Sequence, residues 1–333
     1  MSEDKVGLAS VGLGWWGGVL AKGVAATDRG EVVACFARTP ESRDSFAEAN
    51  DCRAMASYDD VLAADDVQGV LLATSHSSHA ELIVAAAEAG KHVFVEKPFT
   101  LTVAEGKRAI EACEKAGVIL QVGHNRRRQA ANRRLKALID GGDLGDVIMV
   151  ETQQSMPNAL KFGDQIWRND REQSPLGGMT SLGVHMIDTM HYLLGPMRRV
   201  FAFSNRMLEA PLIDHATSVV IEFESGQQGY LGTAFVVPPT VNVVVRGTGG
   251  TAWNEEDGTK MYRQLPDTGI TREAEAIEPN DTIADQLAAF ARSISSGDAP
   301  ETGGAEGLEV VAAMQAMVAS VESGCAESVA DHR

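Results

Sequence analysis

Residues 6–17 read VGLASVGLGWWG, an apolar run followed at once by a glycine-rich turn. The run predicts a buried β-strand, and the apolar positions after the turn recur at helical spacing. Between them, Gly12, Gly14 and Gly17 have the spacing Gly-x-Gly-x-x-Gly, which permits a tight turn, close approach of a pyrophosphate and close helix–strand packing. The stretch therefore predicts a dinucleotide-binding turn; the alternative is a glycine-rich turn of an ordinary strand–helix unit.

Alternation of strands and helices continues beyond this turn. Helical segments separate apolar runs at 31–36, 67–73, 92–95 and 118–122. Such alternation is typical of a parallel, doubly wound sheet whose strands are covered on both faces. We therefore predict an α/β fold that begins with a Rossmann domain over residues 1–124.

Strand-like segments dominate the rest of the chain. They lie at 147–152, 199–203, 218–223, 228–235 and 241–246. Several of them alternate polar with apolar residues, as in an antiparallel sheet with one covered face, and Ser225-Gly226 is a hairpin signal. Helices are expected at 127–140, 181–194, 282–294 and 305–322. We predict that residues 125–333 form a substrate-binding and oligomerisation α/β domain with a large open, mainly antiparallel sheet.

Composition narrows the class of partner. The chain has 29 basic and 46 acidic residues, and its net charge of −17 disfavours nucleic acid and anionic membranes. Its four cysteines have neither metal-site nor disulfide-framework spacing, and the sequence contains no leader or bilayer-spanning apolar run. We expect a cytoplasmic protein with reduced thiols and no metal site.

The end of the second predicted strand bears on the choice of cofactor. Where a carboxylate would bind the adenosine ribose, about 20 residues beyond the glycines, the chain has Ala37, followed by Arg38 and Thr39, with Arg43 nearby. Without a carboxylate, arginine and hydroxyl groups can bind a 2′-phosphate. This pattern favours NADP over NAD; the alternative is a solvated Arg38 and an enzyme that uses NAD. The predicted contacts in this part of the chain are Gly12, Gly14, Trp15, Trp16, Gly17, Arg38, Thr39 and Arg43.

Further motifs follow at strand ends and in the second half. They are Thr74 with His79, Glu96-Lys97-Pro98, Gly123 with Arg127, Trp167-Arg168, and Gly177-Gly178 leading to Gly183-Val184-His185-Met186-Ile187-Asp188. Together with the glycine turn, Asp285-Gln286-Leu287, Phe290 and the glycines from 303 to 307, they resemble the Gfo/Idh/MocA (glucose–fructose oxidoreductase / inositol dehydrogenase) family over almost the whole chain. The resemblance implies a Rossmann domain, an α/β domain with an open sheet, and a homodimer or homotetramer formed through that sheet.

The resemblance also implies roles for individual residues. Lys97 is expected to be the catalytic lysine, Glu96 to touch the nicotinamide-side ribose, and His185 to be a catalytic histidine. A partly desolvated lysine and an imidazole can both exchange protons near neutral pH. Taken alone, Glu-Lys-Pro is more typical of a surface turn, and His185 has the alternative of packing in the core. Thr74 and His79 are expected to contact the cofactor, unless His79 only satisfies loop carbonyls.

Ser181 departs from the family pattern. Family dehydrogenases often carry an aspartate four residues before the histidine, where it can accept a proton or orient the substrate; serine can hydrogen-bond a substrate or cap a helix but is a poor base. Met179 likewise replaces a usual third glycine. These changes suggest a substrate other than the commonest cyclitols, with catalysis resting on Lys97 and His185.

The remaining predictions concern arginines and their neighbours. Trp167 is predicted to cover a sugar or the nicotinamide and Arg168 to bind an anionic group, so both join the cofactor set; the alternative is an exposed turn. The basic run at 126–136 is more typical of a solvated helix face. The sharper hypothesis is that Arg127 binds a substrate carboxylate or structures the domain junction. The predicted substrate-binding set is Lys97, Asn125, Arg127, Ser181 and His185.

Three functional hypotheses follow. The leading one is an NAD(P)-dependent dehydrogenase or reductase that transfers a hydride between nicotinamide C4 and a CH–OH or C=O carbon of a sugar, polyol, cyclitol or cyclic diol. The second is a redox-neutral, glycosidase-type enzyme that retains its dinucleotide, and the third is a non-catalytic regulator that senses NADP. The presence of Lys97 and His185 argues against a regulator, whereas Ser181 argues mildly for one.

Overall fold

The computed structural model of the chain describes residues 5–163 and 166–333. Two compact units are present: one contains the chain up to Asn125 together with Asp281–Leu308, and the other contains Arg126–Asn280 and Glu309–Arg333. The division drawn from the sequence assigns residues 281–308 to the second domain, whereas the structure packs them in the first unit.

Strands and helices are numbered in chain order. The strands are β1 (Val6–Val11), β2 (Gly30–Phe36), β3 (Arg53–Ala54), β4 (Gly69–Leu72), β5 (His92–Val95), β6 (Leu120–Val122), β7 (Val147–Ser155), β8 (Met197–Asn205), β9 (Ala216–Phe223), β10 (Gln228–Ala234), β11 (Thr240–Gly247), β12 (Gly250–Glu255), β13 (Lys260–Gln264), β14 (Glu273–Glu275) and β15 (Glu327–Ser328). The helices are α1 (Trp15–Ala25), α2 (Pro40–Asn50), α3 (Tyr58–Ala63), α4 (His79–Glu88), α5 (Val103–Ala116), α6 (Ala130–Asp140), α7 (Val184–Leu194), α8 (Thr282–Ser296) and α9 (Gly304–Ser323).

A parallel six-stranded sheet organises the first unit. Its order is β3-β2-β1-β4-β5-β6, the order of a doubly wound dinucleotide-binding fold, and the predicted Rossmann sheet is therefore confirmed. All six residues of β1 are buried, because helices cover both faces of a parallel sheet. The parallel pairing brings the carboxyl ends of β1, β4, β5 and β6 to one edge of this sheet, which is where such folds bind ligands.

Helix α8 completes the core of the first unit. Leu287 and Phe290 are fully buried in a cluster with Leu8, Leu71 and Phe94. The rings of Phe94 and Phe290 meet edge to face at 5.9 Å. The apolar face of α8 therefore explains why residues 281–308 belong to the first unit.

A nine-stranded mixed sheet organises the second unit. Its order is β14-β13-β12-β11-β7-β10-β9-β8-β15, and its described pairings are antiparallel except for β7 with β10. The predicted hairpin at Ser225-Gly226 is confirmed, because β9 and β10 pair antiparallel across it. Buried and exposed residues alternate along β9, as expected of a sheet with one covered face. Strands β12 to β14 were not predicted, since polar residues interrupt their apolar positions.

Among the helices of residues 5–163 and 166–333, none combines the length and the hydropathy needed to cross a bilayer.

Candidate active site

The glycine turn after β1 places three glycines in three different environments. Gly12 has a φ of +89°, and a Cβ at this position would lie 2.5 Å from the Ala73 carbonyl oxygen. A Cβ at Gly17 would collide with the Gly12 carbonyl oxygen. At Gly14, by contrast, an added Cβ would meet no atom of the described chain within 4 Å. Protein packing thus requires glycine at the outer two positions, and the open side of Gly14 fits the close approach of a pyrophosphate.

The start of α1 suits an anion. Gly14 is its N-cap and the first turn contains no acidic residue, so the partial positive charge of the helix end is not neutralised locally. Trp15 is 76% exposed, and its ring meets that of the half-buried Trp16 edge to face at 4.9 Å. The turn therefore fits the phosphates of the dinucleotide that the motif predicts.

Lys97 stands just beyond β5 in the same unit. Its side chain is half-buried, and Nζ lies 5.5 Å from the centroid of the Trp16 ring, within the range of a cation–π interaction. The neighbouring Glu96 is buried, and a Cβ at Gly123 would lie 3.0 Å from its Oε1. Glycine at position 123 therefore leaves room for the Glu96 carboxylate between the ends of β5 and β6.

His79 is tied to the segment that follows Lys97. Its Nδ1 lies 2.9 Å from the Pro98 carbonyl oxygen and 3.3 Å from that of Phe99. Complete burial lowers the pKa of this imidazole, so the neutral ring with a proton on Nδ1 is the form that can donate to these carbonyls. This arrangement matches the alternative in which His79 satisfies loop carbonyls. The Thr74 hydroxyl nearby accepts a hydrogen bond from the Ser78 hydroxyl at 2.8 Å.

The three residues after β2 that are predicted to bind a 2′-phosphate differ in their exposure and contacts. Arg38 and Thr39 are exposed, and Thr39 is the N-cap of α2 without using its side chain to cap the helix. Arg43 is half-buried, and its Nη1 donates to the Ala56 carbonyl oxygen at 2.8 Å. The Arg43 guanidinium thus braces the turn before α3, and the exposed pair is better suited to meet a cofactor.

Asn125 also has a contact within the first unit. Its Nδ2 donates to the Thr282 hydroxyl at 2.7 Å, at the first residue of α8. One amide donor of this predicted substrate-binding residue therefore secures α8 to the end of the parallel sheet.

His185 lies in the first turn of α7, in the second unit. It is 6% exposed, and its carbonyl oxygen accepts from the Thr189 hydroxyl at 2.8 Å. A π-helical turn, Met179–Gly183, leads directly into α7 and carries Ser181 four residues before His185. Such turns inside helices are frequent at functional sites. The sequence predicts one helix from residue 181, and the structure instead begins α7 at Val184.

Met179 fits because a glycine faces it. Met179 is fully buried, and a Cβ at Gly183 would collide with its sulfur. The methionine that replaces a usual glycine therefore fills space that Gly183 leaves open, so the π-helical turn is packed from within.

Arg127 is paired with an acidic residue of α7. Its Nε lies 2.8 and 2.9 Å from the two carboxylate oxygens of Asp188, which is fully buried, and Arg127 itself is 8% exposed. The guanidinium carbon lies 5.7 Å from the centroid of the Tyr192 ring. The prediction of a solvated helix face is therefore wrong for Arg127, because the side chain is buried and Asp188 compensates its charge. The ion pair also favours a structural role over binding of a substrate carboxylate.

The rest of the basic run is engaged on the surface of the same unit. Arg133 donates to the Tyr192 hydroxyl at 2.9 Å, and Arg134 donates to Glu275 at 2.7 Å.

Trp167 and Arg168 form a short turn of their own, in which the guanidinium carbon of Arg168 lies 4.1 Å from the centroid of the Trp167 indole ring. Their predicted contacts with a cofactor remain predictions.

Gln154 is a buried polar residue that the sequence does not single out. It is buried on β7, and with its amide oriented to satisfy both neighbours it donates to the Leu182 carbonyl oxygen and accepts from Arg126, each at 3.1 Å. Gln154 thus supports the π-helical turn that carries Ser181. A glutamine within an alternating strand gives no local signal of such a role.

Within the described part of the chain, no group of three or more His, Cys, Asp or Glu side chains is placed to hold a metal ion.

Comparison with known proteins adds to this geometry. Residues 6–124 match a family model described as an oxidoreductase family with an NAD-binding Rossmann fold, and residues 132–253 match the GFO/IDH/MocA C-terminal domain. The chain is 27% identical to the 1,5-anhydro-D-fructose reductase of Ensifer adhaerens over 90% of its length and 91% of that protein. It is 28% identical to an NADP⁺-dependent D-xylose 1-dehydrogenase of Haloferax volcanii over 82% of its length and 84% of that protein.

A solved structure resembles nearly all of the chain. It is a candidate NADPH-dependent oxidoreductase from Desulfitobacterium hafniense, 29% identical, with a TM-score of 0.95 and coverage of 99% of both chains. The named relatives are thus dehydrogenases and reductases.

Proposed function

Because the chain belongs to the Gfo/Idh/MocA oxidoreductase family, we propose that it is a dehydrogenase or reductase of a small sugar, polyol or cyclic diol that prefers NADP. The observation that carries this proposal is Lys97, half-buried at the end of β5 with its Nζ over the ring of Trp16. The glycine turn that carries Trp16 is the predicted phosphate site, so a proton-handling side chain and a cofactor turn belong to one unit. The sugar substrates of the relatives named above support this substrate class.

Lys97 is assigned the proton of the reacting hydroxyl group. When bound, the nicotinamide accepts or supplies a hydride at its C4. In the direction of alcohol oxidation, Lys97 Nζ takes the hydroxyl proton as the carbon loses its hydride, and in reduction it returns that proton to the oxygen. The face of the Trp16 ring stabilises the ammonium form. His185 is proposed to assist by exchanging a proton, and Ser181 to donate a hydrogen bond to a substrate oxygen.

NADP is proposed as the preferred cofactor because of the segment after β2. Arg38 and Thr39 are exposed where a carboxylate would otherwise bind the ribose hydroxyls of NAD. An arginine and a hydroxyl group can together bind a 2′-phosphate. The NADP⁺ specificity of the Haloferax volcanii relative is consistent with this preference.

Self-association is proposed to use the outer face of the nine-stranded sheet. Phe203, Val220 and Tyr230 are 69%, 59% and 41% exposed on three consecutive strands. Val220 and Tyr230 are directly paired, so the apolar surface is continuous across β9 and β10. A homodimer or homotetramer would cover it.

Four unbridged cysteines support a place in the cytosol.

A substrate panel tests the proposal. Polyols, aldoses, anhydro sugars and cyclic dihydrodiols are each incubated with the protein and either NADP or NAD, and the nicotinamide absorbance is followed. At least one member is expected to change the absorbance, faster with NADP, and the Lys97→Met variant is expected to abolish that change. Tight NADP binding with no absorbance change for any member would overturn the dehydrogenase assignment. Release of an aglycone from glycosides in that case would indicate the redox-neutral enzyme, and no reaction at all would indicate the regulator.

A further inference from the structure

Two cysteines lie side by side at the edge of the parallel sheet. Cys35 is the penultimate residue of β2, and Cys52 directly precedes β3. The register pairs Cys35 with Ala54, and alternate residues of a strand share a face, so Cys35, Ala54 and Cys52 are directed to the same side of the sheet. Both thiols pack in one small cluster with Phe46.

The two thiols differ in exposure and in acidity. Cys35 is fully buried, whereas Cys52 is half-buried and so within reach of a small reagent. The neighbouring Cys35 thiol lowers the pKa of Cys52, and the positive charge of Arg53 acts in the same direction against the effect of burial. The neighbouring Cys52 sulfur and burial raise the pKa of Cys35. Cys52 is therefore the sulfur that ionises, and Cys35 is the neighbouring thiol that can resolve an oxidised Cys52.

We propose that Cys35 and Cys52 form a reversible intrachain disulfide when the protein meets hydrogen peroxide. The Cys52 thiolate attacks one peroxide oxygen, the O–O bond breaks, and hydroxide leaves, so that Cys52 becomes a sulfenic acid. The Cys35 sulfur then attacks the Cys52 sulfur and gives up its proton, the S–O bond breaks, and water leaves. In sum, two thiols and one peroxide give one disulfide and two waters, and a reducing dithiol reverses the oxidation.

The disulfide has a structural consequence for α2. The Cys35 thiol lies 3.6 Å from the Arg43 carbonyl oxygen as a hydrogen-bond donor, and oxidation removes that donor. Arg43 belongs to α2, which begins directly after Arg38 and Thr39. Oxidation therefore disturbs the segment assigned to the 2′-phosphate and weakens NADP binding by about tenfold. Only this last step rests on the proposed function; the disulfide itself does not.

Peptide mapping of the full-length protein tests the disulfide. The protein is treated with equimolar hydrogen peroxide at neutral pH, blocked with iodoacetamide and digested without reduction. A linked pair of peptides that contain Cys35 and Cys52, two hydrogens lighter than the free pair, is expected, and dithiothreitol should release it. The link should persist in the Cys113→Ser and Cys325→Ser variants, because Cys113 is buried with a pKa raised to about 12 and Cys325 lies outside the pair.

Single variants of the pair test the order of attack. In Cys35→Ala, the sulfenic acid is expected to accumulate on Cys52, where dimedone labels it; in Cys52→Ala, neither the link nor the label should form. In the wild-type protein, overoxidation of Cys52 without a Cys35–Cys52 disulfide, or oxidation products confined to Cys325, would overturn the proposal. This result does not depend on whether the variants fold. NADP affinity is measured separately on reduced and oxidised protein. A link without a change in affinity refutes only the coupling, whereas absence of NADP binding to the reduced protein refutes the proposed cofactor and leaves the disulfide standing.

Discussion

The side-chain nitrogen of Lys97 lies 5.5 Å from the centroid of the Trp16 ring. These residues come from two separate motifs, the glycine turn after β1 and the Glu-Lys-Pro sequence after β5, and the parallel sheet brings the two strand ends to one edge. An aromatic face stabilises an ammonium group that burial partly desolvates. The contact therefore links the cofactor turn to the residue proposed to handle the proton.

Replacement of Lys97 should separate chemistry from binding. In Lys97→Met, kcat is expected to fall by about 10²- to 10⁴-fold, the usual contribution of a general acid–base group, because methionine cannot take a proton. The Kd for NADP, measured by fluorescence titration, should change little. Lys107→Met, at an exposed position of α5, is the matched control and should retain full activity. A Lys97→Met enzyme with wild-type kcat would refute the catalytic role.

The three glycines of the cofactor turn should respond differently to alanine. Gly12→Ala and Gly17→Ala are expected to destabilise the fold by about 1–3 kcal/mol, because each Cβ meets a backbone oxygen. Gly14→Ala should lower the thermal unfolding midpoint less than either of these variants, by the modest cost of alanine at an N-cap, and should weaken dinucleotide binding, because its Cβ enters open space. Thermal unfolding without cofactor and NADP titration measure the two effects. Unaltered NADP binding in Gly14→Ala would contradict the proposed position of the pyrophosphate.

Cofactor preference should depend on Arg38 more than on Arg43. Arg38→Ala is expected to raise the Kd for NADP by about tenfold or more, the value of a lost charge-assisted hydrogen bond, with little effect on NAD. Arg43→Ala should instead lower stability, because the Arg43 guanidinium holds the Ala56 carbonyl. Titration of both variants with both dinucleotides gives the answer. If Arg38→Ala weakened NAD and NADP equally, the 2′-phosphate role of Arg38 would have to be abandoned.

The buried pair of Arg127 and Asp188 should matter for stability. Arg127→Met leaves a buried carboxylate without its partner, and the free energy of unfolding in urea is expected to fall by about 3–5 kcal/mol. The double variant Arg127→Met/Asp188→Leu should recover part of that loss, because no uncompensated charge remains. Lys136→Met removes a more exposed pair with Asp140 and should cost less than about 1 kcal/mol. Equal losses in Arg127→Met and Lys136→Met would refute this account.

His79 should make stability depend on pH. In the unfolded chain its imidazole takes up a proton near its ordinary pKa of 6.5, whereas burial lowers the pKa in the folded protein. The unfolded state thus binds more protons below pH 6.5, so stability is expected to fall as the pH decreases from 7 towards 5. His79→Asn, which keeps a donor for the Pro98 carbonyl, should reduce this slope in urea unfolding, while His332→Asn should not. An unchanged slope in His79→Asn would contradict the assignment.

The sequence was most informative where burial is continuous. Strands β1 and β5 are apolar runs covered on both faces, so their limits could be predicted to within a residue. Strands β12 and β13 escaped prediction, because they place polar side chains such as Asn254 between apolar ones. Antiparallel edge regions with mixed composition have no comparable signal.

Contacts between distant positions account for what the sequence left open. Arg127 and Asp188 are 61 residues apart, and nothing local indicates that the fold buries both. The π-helical turn before α7 could not be predicted either, because its sequence, Met-Thr-Ser-Leu-Gly, is equally compatible with an ordinary helix start. Lys97 and His185 were predicted as catalytic residues only through the resemblance of whole motifs, since single residues of these types are common in turns and cores.

The discontinuity of the first unit governs when that unit can fold during synthesis. Leu287 and Phe290 of α8 belong to the same core as Leu8 and Phe94, yet the ribosome makes them nearly 200 residues after Phe94. The sheet that is translated first is therefore only partly covered on this face, by α1, until almost the whole chain has emerged. The nascent protein would be a client for a holding chaperone throughout that interval, and a ribosome stalled before α8 would release a chain that cannot close its first core.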